Sequence, residues 1–292
     1  MTIIPESIHA AAALLGEGLV WVERDKTLWF VDIKSHHLHR LDVASGTASR
    51  WDAPGEIGWV LPSDDGAFLC GLADGLYRFD PRAGTFTHLC EVEPSRPGNR
   101  LNDAAVDPSG RVWFGSMDNA EAGQTGHLFR FDRGMISDTG IAPVTITNGP
   151  AIAPDGQTLH AVDTLGRRID SYTIDEDGAL RDKRCFVAFG DDVQGHPDGA
   201  ICDSEGGVWV GFFGGWAARR YDAKGNLTHK VDFPVANITK IALGGPDGRD
   251  AYATTARKGL DEAELNRQPL AGNIFHFRAD VPGVTVTPVK ME

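Results

Sequence analysis

The feature that most constrains the fold is a repeated unit of two short strands joined by a turn. In each copy, a run of apolar residues is followed by a turn and by a second strand that ends in an aromatic residue and an aspartate, or in a close variant of that pair. Six such copies lie at residues 28–42, 68–80, 112–132, 159–175, 208–222 and 251–277. A period of about 40 to 50 residues is typical of the four-stranded blade of a propeller. The repeat therefore predicts an all-β fold, a six-bladed β-propeller with four-stranded blades around a central channel.

Turns rich in aspartate and glycine precede most of the first strands of the repeat. They lie at residues 64–66, 107–110, 154–156, 203–206 and 246–248. Aspartate and glycine supply the tight turns and the positive φ angles that hairpins need. Helical periodicity is almost absent, although residues 259–266 could form one or two helical turns. No linker or shift in composition divides the chain, so residues 1–292 are predicted to form one propeller domain.

A ring of blades must be closed by an additional strand from one end of the chain. Two segments are candidates to complete the last blade: an N-terminal strand around residues 11–15, and the C-terminal residues 284–287. The sequence alone leaves this choice open.

The charge of the chain narrows the class of partner. The net charge is −13, and an acidic surface repels phosphate backbones and anionic lipids. We therefore expect neither nucleic acid nor a membrane as a partner, and no segment approaches the roughly 18 apolar residues of a membrane span.

The N-terminal segment has no basic region of the secretory kind, and three of the four cysteines (Cys70, Cys185 and Cys202) lie in apolar runs. Reduced, packed thiols and the lack of a signal sequence favour a cytoplasmic location, and nothing in the sequence indicates the oligomeric state.

Polar residues interrupt the apolar pattern just before several strands that should be innermost in the propeller. They come from four different repeats: Glu17, the pair Asn102 and Asp103, Asn148, and Asp198. Because loops at one end of a propeller converge on its channel, these side chains are candidates to meet there. Oxygen ligands of this kind favour a hard cation such as Ca²⁺, Mg²⁺ or Mn²⁺, and Zn²⁺ or Fe²⁺ with open water positions also fits. The alternative is that Asn-Gly and Asp-Gly are simply turn dipeptides.

Five motifs, in a fixed order, resemble those of one known family. They are Leu15-Gly16-Glu17-Gly18 with Trp21; Arg100-Leu101-Asn102-Asp103 with Val106-Asp107 and Gly110-Arg111; Gly115-Ser116-Met117; Thr147-Asn148-Gly149; and Pro197-Asp198-Gly199 with Asp203, Glu205-Gly206 and Trp209. Over residues 14–258 the chain resembles the SMP-30/gluconolactonase family, also called regucalcin-like proteins. Within that family it is most similar to bacterial sugar-acid lactonases, including xylonolactonases, because it also contains Asp32-Ile33-Lys34 and the segment 254–260.

The resemblance implies an enzyme, a sugar lactone lactonase that opens an aldonolactone to the sugar acid with one divalent metal ion. It implies metal ligands at Glu17, Asn148 and Asp198. A metal ion with three protein ligands and open positions can polarise the lactone carbonyl and lower the pKa of a bound water. Asp198 could also accept a proton from the attacking water, and it is the expected catalytic base.

The resemblance also implies residues that contact the substrate. It places Arg100 and Asn102 against the sugar hydroxyls, and Arg100 could hold the carboxylate of the product. A further acidic residue of the family follows the Gly-Ser-Met segment. If the family motif is aligned with this sequence without a gap, Ala120 falls at that position. A shift of one residue places Glu121 there, and we take Glu121 as the substrate contact.

Four further polar positions have weaker support from the sequence. The pair Asp163-Thr164 ends an apolar strand near the expected channel and could contact the substrate or support a residue that does, and His196, beside the Pro-Asp-Gly motif, could line the pocket. Lys258 is predicted only to belong to a charged loop.

Two other classes of function remain open at this point. The first is a propeller that binds a metal or a protein partner without catalysis, because a fold does not dictate a function. A non-catalytic scaffold has no need for a charged, metal-lined channel, so the oxygen ligands together with Arg100 and Asn102 distinguish an enzyme from a scaffold. The second is an esterase for aryl esters or organophosphates, and an apolar pocket rather than a hydroxyl-binding one would favour it.

Overall fold

The computed structural model describes residues 3–292, which form 24 strands and one short helix. The first strand is β1 (Glu6–His9). It is followed by β2 (Gly16–Val22), β3 (Thr27–Asp32), β4 (His37–Asp42) and β5 (Ala48–Asp52). The second sheet has β6 (Ile57–Pro62), β7 (Phe68–Leu72), β8 (Gly75–Asp80) and β9 (Thr85–Glu91), and the third has β10 (Asn99–Val106), β11 (Val112–Asp118), β12 (Leu128–Asp132) and β13 (Met135–Asp138). The fourth has β14 (Thr147–Ile152), β15 (Thr158–Asp163), β16 (Arg168–Ile174) and β17 (Leu180–Ala188), and the fifth has β18 (His196–Cys202), β19 (Val208–Phe213), β20 (Ala217–Tyr221) and β21 (Leu227–Asp232). The sixth contains β22 (Ile238–Gly244), β23 (Asp250–Thr255) and, after α1 (Glu262–Arg267), β24 (Ile274–Arg278).

The six antiparallel sheets are the blades of a propeller, as the repeat predicts. The strands β2, β6, β10, β14, β18 and β22 contact one another in that order, and β22 contacts β2, so they form the inner ring. Inner strands such as β2 and β6 are buried at every position, whereas the outer strand β5 alternates between exposed and half-buried residues. Neighbouring blades share an apolar core: the ring of Trp29 in the first blade lies 4.1 Å from that of Phe68 in the second. Burial on both faces explains why the inner strands have continuous apolar runs.

The N-terminal strand closes the ring of blades. In β1, Glu6 pairs with His276 and Ser7 pairs with Phe275 of β24, so the sixth blade has the order β1-β24-β23-β22. The closing strand therefore comes from the N-terminal side, as one of the two candidates proposed, but it lies upstream of residues 11–15. An outer strand exposes most of its side chains, and the β1 sequence accordingly has little apolar alternation to indicate it.

The C-terminal residues 283–290, which we call the C-terminal strap, do not complete a blade. Gly283 pairs with Asp203 after β18, and Val289 pairs with Ser63 after β6. The backbone N–H of Lys290 then donates to the carbonyl of Gly110, at 3.0 Å. The strap thus passes from the fifth blade to the second and third, across the end of the channel where the inner strands finish.

Two of the predicted aspartate-glycine turns contain a buried aspartate that joins several strands. The carboxylate of Asp107 accepts hydrogen bonds from Nε of Arg111 at 2.6 Å and from Nε1 of Trp113 at 3.0 Å. In the fifth blade, Asp203 accepts a hydrogen bond from Nε of Arg220 at 2.6 Å. Both aspartates are completely buried. A buried carboxylate with this many donors fixes the turn that leads into the second strand of its blade.

The only helix within residues 3–292 lies in the segment for which one or two helical turns were predicted. Asp261 caps α1 by accepting a hydrogen bond from the backbone N–H of Glu264, and the Glu264 side chain accepts one from the backbone N–H of Asp261. This reciprocal capping box satisfies two N–H groups that the helix leaves unpaired. In the part of the chain that the structure describes, no helix has the length and apolar character needed to cross a membrane.

One expectation about the cysteines is wrong. Cys70 and Cys202 are buried, as predicted from their apolar surroundings, but Cys185 is exposed. It lies in β17, the outer strand of the fourth blade, which leaves most of its side chains in solvent.

Candidate active site

Each of the six inner strands has a pairing irregularity in its first half. These β-bulges lie between Glu17 and Val20, Ile57 and Trp59, Leu101 and Ala104, Asn148 and Ala151, Pro197 and Ala200, and Ile238 and Ile241. A bulge bends the strand and redirects the side chains beside it. The polar residues that interrupt the apolar pattern therefore lie where the inner strands can turn a side chain into the channel.

A cavity of about 260 Å³ occupies the end of the channel at which the inner strands begin. Its walls include all of the site residues predicted from the sequence: Glu17, Arg100, Asn102, Glu121, Asn148 and Asp198. Of the residues with weaker support, Thr164 and His196 also line it, whereas Asp163 is not part of its wall as described for residues 3–292. Residues far apart in the sequence are thus brought together by the first, third, fourth and fifth blades.

Two buried carboxylates face this cavity. Glu17 is 4% exposed and Asp198 is 8% exposed. Burial, followed by the negative charges of Asp198 and Asp103, raises the pKa of Glu17 well above its usual range. Burial and then the charge of Asp103 raise the pKa of Asp198 to about 8. A divalent cation bound between the two carboxylates would remove the repulsion and favour both ionised forms.

The third predicted ligand, Asn148, is held by hydrogen bonds at both ends of its amide. Its Nδ2 donates to Oγ1 of Thr164 at 2.9 Å, and its Oδ1 accepts from Nδ2 of Asn102 at 3.0 Å. Asn102 is fixed in turn, because its Nδ2 also donates to the carbonyl of Thr147 at 2.6 Å. Since an amide oxygen can accept twice, Oδ1 of Asn148 retains capacity for a cation.

The donor set is composed of oxygen atoms only. Within residues 3–292 there is no group of three or more His, Cys, Asp and Glu side chains arranged to hold a metal ion. The predicted set falls outside that class because its third member, Asn148, is an amide. Two carboxylates and one amide oxygen fit a hard divalent cation, which binds carboxylate and carbonyl oxygens.

Arg100 contributes a buried positive charge to the wall of the cavity. It is 3% exposed, and its Nη1 donates to Oδ1 of Asn102 at 2.7 Å and to the carbonyl of Leu101 at 3.1 Å. Burial lowers its pKa from the usual value, while the charge of Glu56 acts in the opposite direction. An arginine remains charged under these conditions and can donate to a carboxylate or hydroxyl oxygen.

An ion pair between Glu121 and Lys258 lies at the mouth of the cavity. The Lys258 ammonium donates to the Glu121 carboxylate and links the loop after β11 to the segment after β23. Both side chains are partly exposed, at 39% for Glu121 and 33% for Lys258. The interpretation of Lys258 as part of a mere charged loop is therefore incomplete. The signal that could have identified it is its position in segment 254–260, which begins at the end of β23, the second strand of the sixth blade.

A second ion pair, Asp103 with Lys240, lies deeper in the channel. Both residues are buried, at 1% and 4% exposed, and the Lys240 ammonium donates to Oδ1 of Asp103. Sequence reasoning did not identify Lys240. It lies at the bulge of β22, where it interrupts an apolar run as Glu17 and Asn148 do in their own strands. The same positional rule, applied to the sixth repeat, would have found it.

Beyond this ion pair, a second cavity of about 120 Å³ extends to the other end of the channel. The later residues of the inner strands line it, and residues 284–287 of the C-terminal strap cover it. Within residues 3–292, Asp103 and Lys240 are its only charged wall residues. The first cavity, with its carboxylates, amides and arginine, is therefore the candidate active site.

Comparison with known proteins gives likenesses that extend over most of the chain. Residues 15–257 match the family described as SMP-30/Gluconolactonase/LRE-like region. The chain is 36% identical over 265 residues to L-arabinolactonase of Azospirillum brasilense, covering 89% of this chain and 87% of that protein. It is 32% identical over 271 residues to 6-deoxy-6-sulfogluconolactonase of Pseudomonas putida, covering 93% of each. Among solved structures, the calcium-binding protein regucalcin from Agrobacterium tumefaciens has a TM-score of 0.93 at 29% identity and covers 99% of this chain and 98% of that chain. The matched region contains every predicted site residue.

Proposed function

Because this chain belongs to the SMP-30/gluconolactonase/LRE-like family, we propose that it is a hydrolase that opens sugar lactones to sugar acids with the aid of one divalent metal ion. The observation that carries the proposal is the pair of buried carboxylates, Glu17 and Asp198, beside the amide of Asn148 in one cavity. The names of two relatives, an arabinolactonase and a sulfogluconolactonase, support a sugar lactone as the substrate class.

The metal ion would be held by carboxylate oxygens of Glu17 and Asp198 and by Oδ1 of Asn148. These atoms suit Ca²⁺, Mg²⁺ or Mn²⁺, and Zn²⁺ or Fe²⁺ with additional water ligands would also fit. The calcium-binding description of the regucalcin from Agrobacterium tumefaciens supports a divalent ion. When bound, such an ion polarises the lactone carbonyl and lowers the pKa of a coordinated water.

Asp198 would move the proton in this reaction. With the metal ion bound, the Asp198 carboxylate would be ionised and could accept a proton from the attacking water, whose own pKa the ion would lower. A bond then forms between the water oxygen and the carbonyl carbon, and the bond from that carbon to the ring oxygen breaks. The proton on Asp198 passes to the departing ring oxygen, which becomes a hydroxyl group of the sugar acid.

Arg100 and Asn102 would orient the sugar. The fixed amide of Asn102 and the guanidinium of Arg100 lie in the wall of the same cavity, where they can hydrogen-bond hydroxyl groups. Glu121 and Lys258 lie at the mouth, so they would contact the hydroxyl groups of the substrate that are nearest to the solvent. Glu121 would accept hydrogen bonds from them, and Lys258 would donate. A wall with this many hydrogen-bonding groups favours a polyol substrate over an aryl ester.

The proposal is tested by proton release from a panel of aldonolactones at near-neutral pH. Protein treated with a chelator is assayed alone and with each of Mg²⁺, Mn²⁺, Fe²⁺, Zn²⁺ and Ca²⁺, and spontaneous hydrolysis is subtracted. The Asp198→Ala variant should lose metal-dependent turnover, whereas Asp64→Asn, which alters an exposed aspartate in a turn, should retain it. Metal binding without turnover of any sugar lactone would refute the lactonase and favour a binding propeller. Turnover of aryl esters alone would favour the esterase.

A further inference from the structure

Arg100 is held from its outer side by three polar residues that the proposed reaction does not use. Nε of Arg100 donates to Oδ1 of Asn119 at 3.1 Å, and Oε2 of Glu56 lies 3.8 Å from the same Nε. Nδ2 of Asn119 donates to Oε2 of Glu56 at 3.0 Å. Lys34 completes the group, because its Nζ donates to Oε1 of Glu56 at 2.7 Å and to Oδ1 of Asn119 at 2.8 Å. We call Lys34, Glu56 and Asn119 the bracing group.

The bracing group is assembled from three blades. Lys34 follows β3 in the first blade, Glu56 precedes β6 in the second, and Asn119 follows β11 in the third. Arg100 lies on β10. Asn119 and Glu56 contact the guanidinium, and Lys34 ties both of them to the first blade, so the group links the guanidinium to three blades. A single partner would leave the side chain free to rotate.

The contacts of Arg100 also determine which of its nitrogens is left for a ligand. Nε is taken by Asn119, and Nη1 by the carbonyl of Leu101 and the amide of Asn102. Nη2 is the nitrogen that the hydrogen bonds within residues 3–292 leave for a ligand. The planar fork of arginine makes this orientation important, because rotation of the plane would withdraw Nη2 from any bound oxygen.

We propose that Glu56 and Asn119 are positioning residues that hold the Arg100 guanidinium in the orientation that binds the substrate, with Lys34 balancing the charge of Glu56. The inference rests on the proposed lactonase function and names residues that act through Arg100 without touching the substrate. Asn119 has the larger effect because it accepts directly from Nε. Glu56 acts by orienting Asn119 and by its charge.

The decisive experiment is a double-mutant cycle between Arg100 and Asn119. Asn119→Ala removes an acceptor from a charged donor, so we expect KM for the preferred lactone to rise about tenfold while kcat changes less than about threefold. In the Arg100→Ala background, the same Asn119→Ala change should leave KM almost unaltered, because there is no guanidinium left to position. Glu56→Gln should raise KM by a smaller factor, and Lys34→Met by the smallest. The matched control is Asn226→Ala, an exposed asparagine in a turn of the fifth blade, which should leave KM unchanged.

The outcomes separate the inference from the proposed function. If the wild-type protein hydrolyses lactones and Asn119→Ala keeps the wild-type KM, or raises it equally with and without Arg100, the positioning role is refuted and the lactonase stands. If the wild-type protein hydrolyses no lactone, the proposed function fails. A crystal structure of Asn119→Ala then decides the inference: a displaced guanidinium supports it, and an unmoved one overturns it.

Discussion

Replacement of Asp198 by asparagine should stabilise the metal-free protein, and increasingly so as the pH rises. The Asp198 carboxyl has a pKa of about 8 in the folded chain, against an ordinary value of 3.8. Between these two values the folded state keeps a proton that the unfolded chain releases, so the unfolding free energy falls with rising pH. Since one pKa unit is worth about 1.4 kcal/mol, the loss from pH 6 to pH 8 is about 2 kcal/mol once partial ionisation near pH 8 is included. Asparagine has the same shape and no such titration, and its neutrality also relieves Glu17.

The assay is thermal unfolding of chelator-treated wild-type and Asp198→Asn proteins at pH 6, 7 and 8. For a chain of this length, about 2 kcal/mol corresponds to about 4 °C in Tm. The Tm of the variant minus the Tm of the wild type should therefore be about 4 °C larger at pH 8 than at pH 6. Addition of the activating metal ion should reverse the order, because only the wild type retains both carboxylates. A Tm difference that is the same at all three pH values, or one that matches the Asp64→Asn control, would show that Asp198 is not held protonated.

Three further predictions concern other parts of the molecule. Glu17→Gln should abolish most of the metal-induced rise in Tm, because one of the two anionic ligands becomes neutral; an undiminished rise would exclude Glu17 as a ligand. Lys258→Met should raise KM about three- to tenfold with little change in kcat, and equal effects from Lys224→Met, at an exposed turn, would remove Lys258 from the site. Asp107→Ala should lower the unfolding free energy by about 3 kcal/mol, because it leaves an arginine and a buried indole N–H without their acceptor. Denaturant titration measures this, and a loss below about 1 kcal/mol would contradict the importance of that carboxylate.

The repeat made most of the fold predictable, because each blade has to bury an apolar inner strand and turn sharply into the next one. The same regularity revealed Glu17, Asn148 and Asp198, since a polar residue in a run that should be apolar is a local signal. The closing strand was harder to locate. Glu6–His9 is an exposed outer strand, and its position depends on pairing with residues near the other end of the chain.

The roles of the residues that the sequence analysis missed depend on contacts between distant positions, even where the position itself could have been noticed. Lys240 is explained by Asp103 and Lys258 by Glu121, and in each case the partner lies 137 positions away. The bracing group around Arg100 is a stronger case, because its members lie in or beside loops of three blades and none of them breaks a strand pattern. Only the assembled ring shows that these side chains meet.

Ring closure by β1 has a consequence for how the protein is made. Glu17 lies on β2, whose partners in the ring include β22, and the sixth blade lacks an outer strand until β1 pairs with β24. During synthesis, β1 and β2 leave the ribosome first, but residues 274–278 of β24 leave near the end of translation. Glu6 and Ser7 therefore have no strand to pair with until the last blade has been synthesised. Because β2, which carries Glu17, also contacts β22, the surroundings of Glu17 are complete only when the sixth blade joins the first.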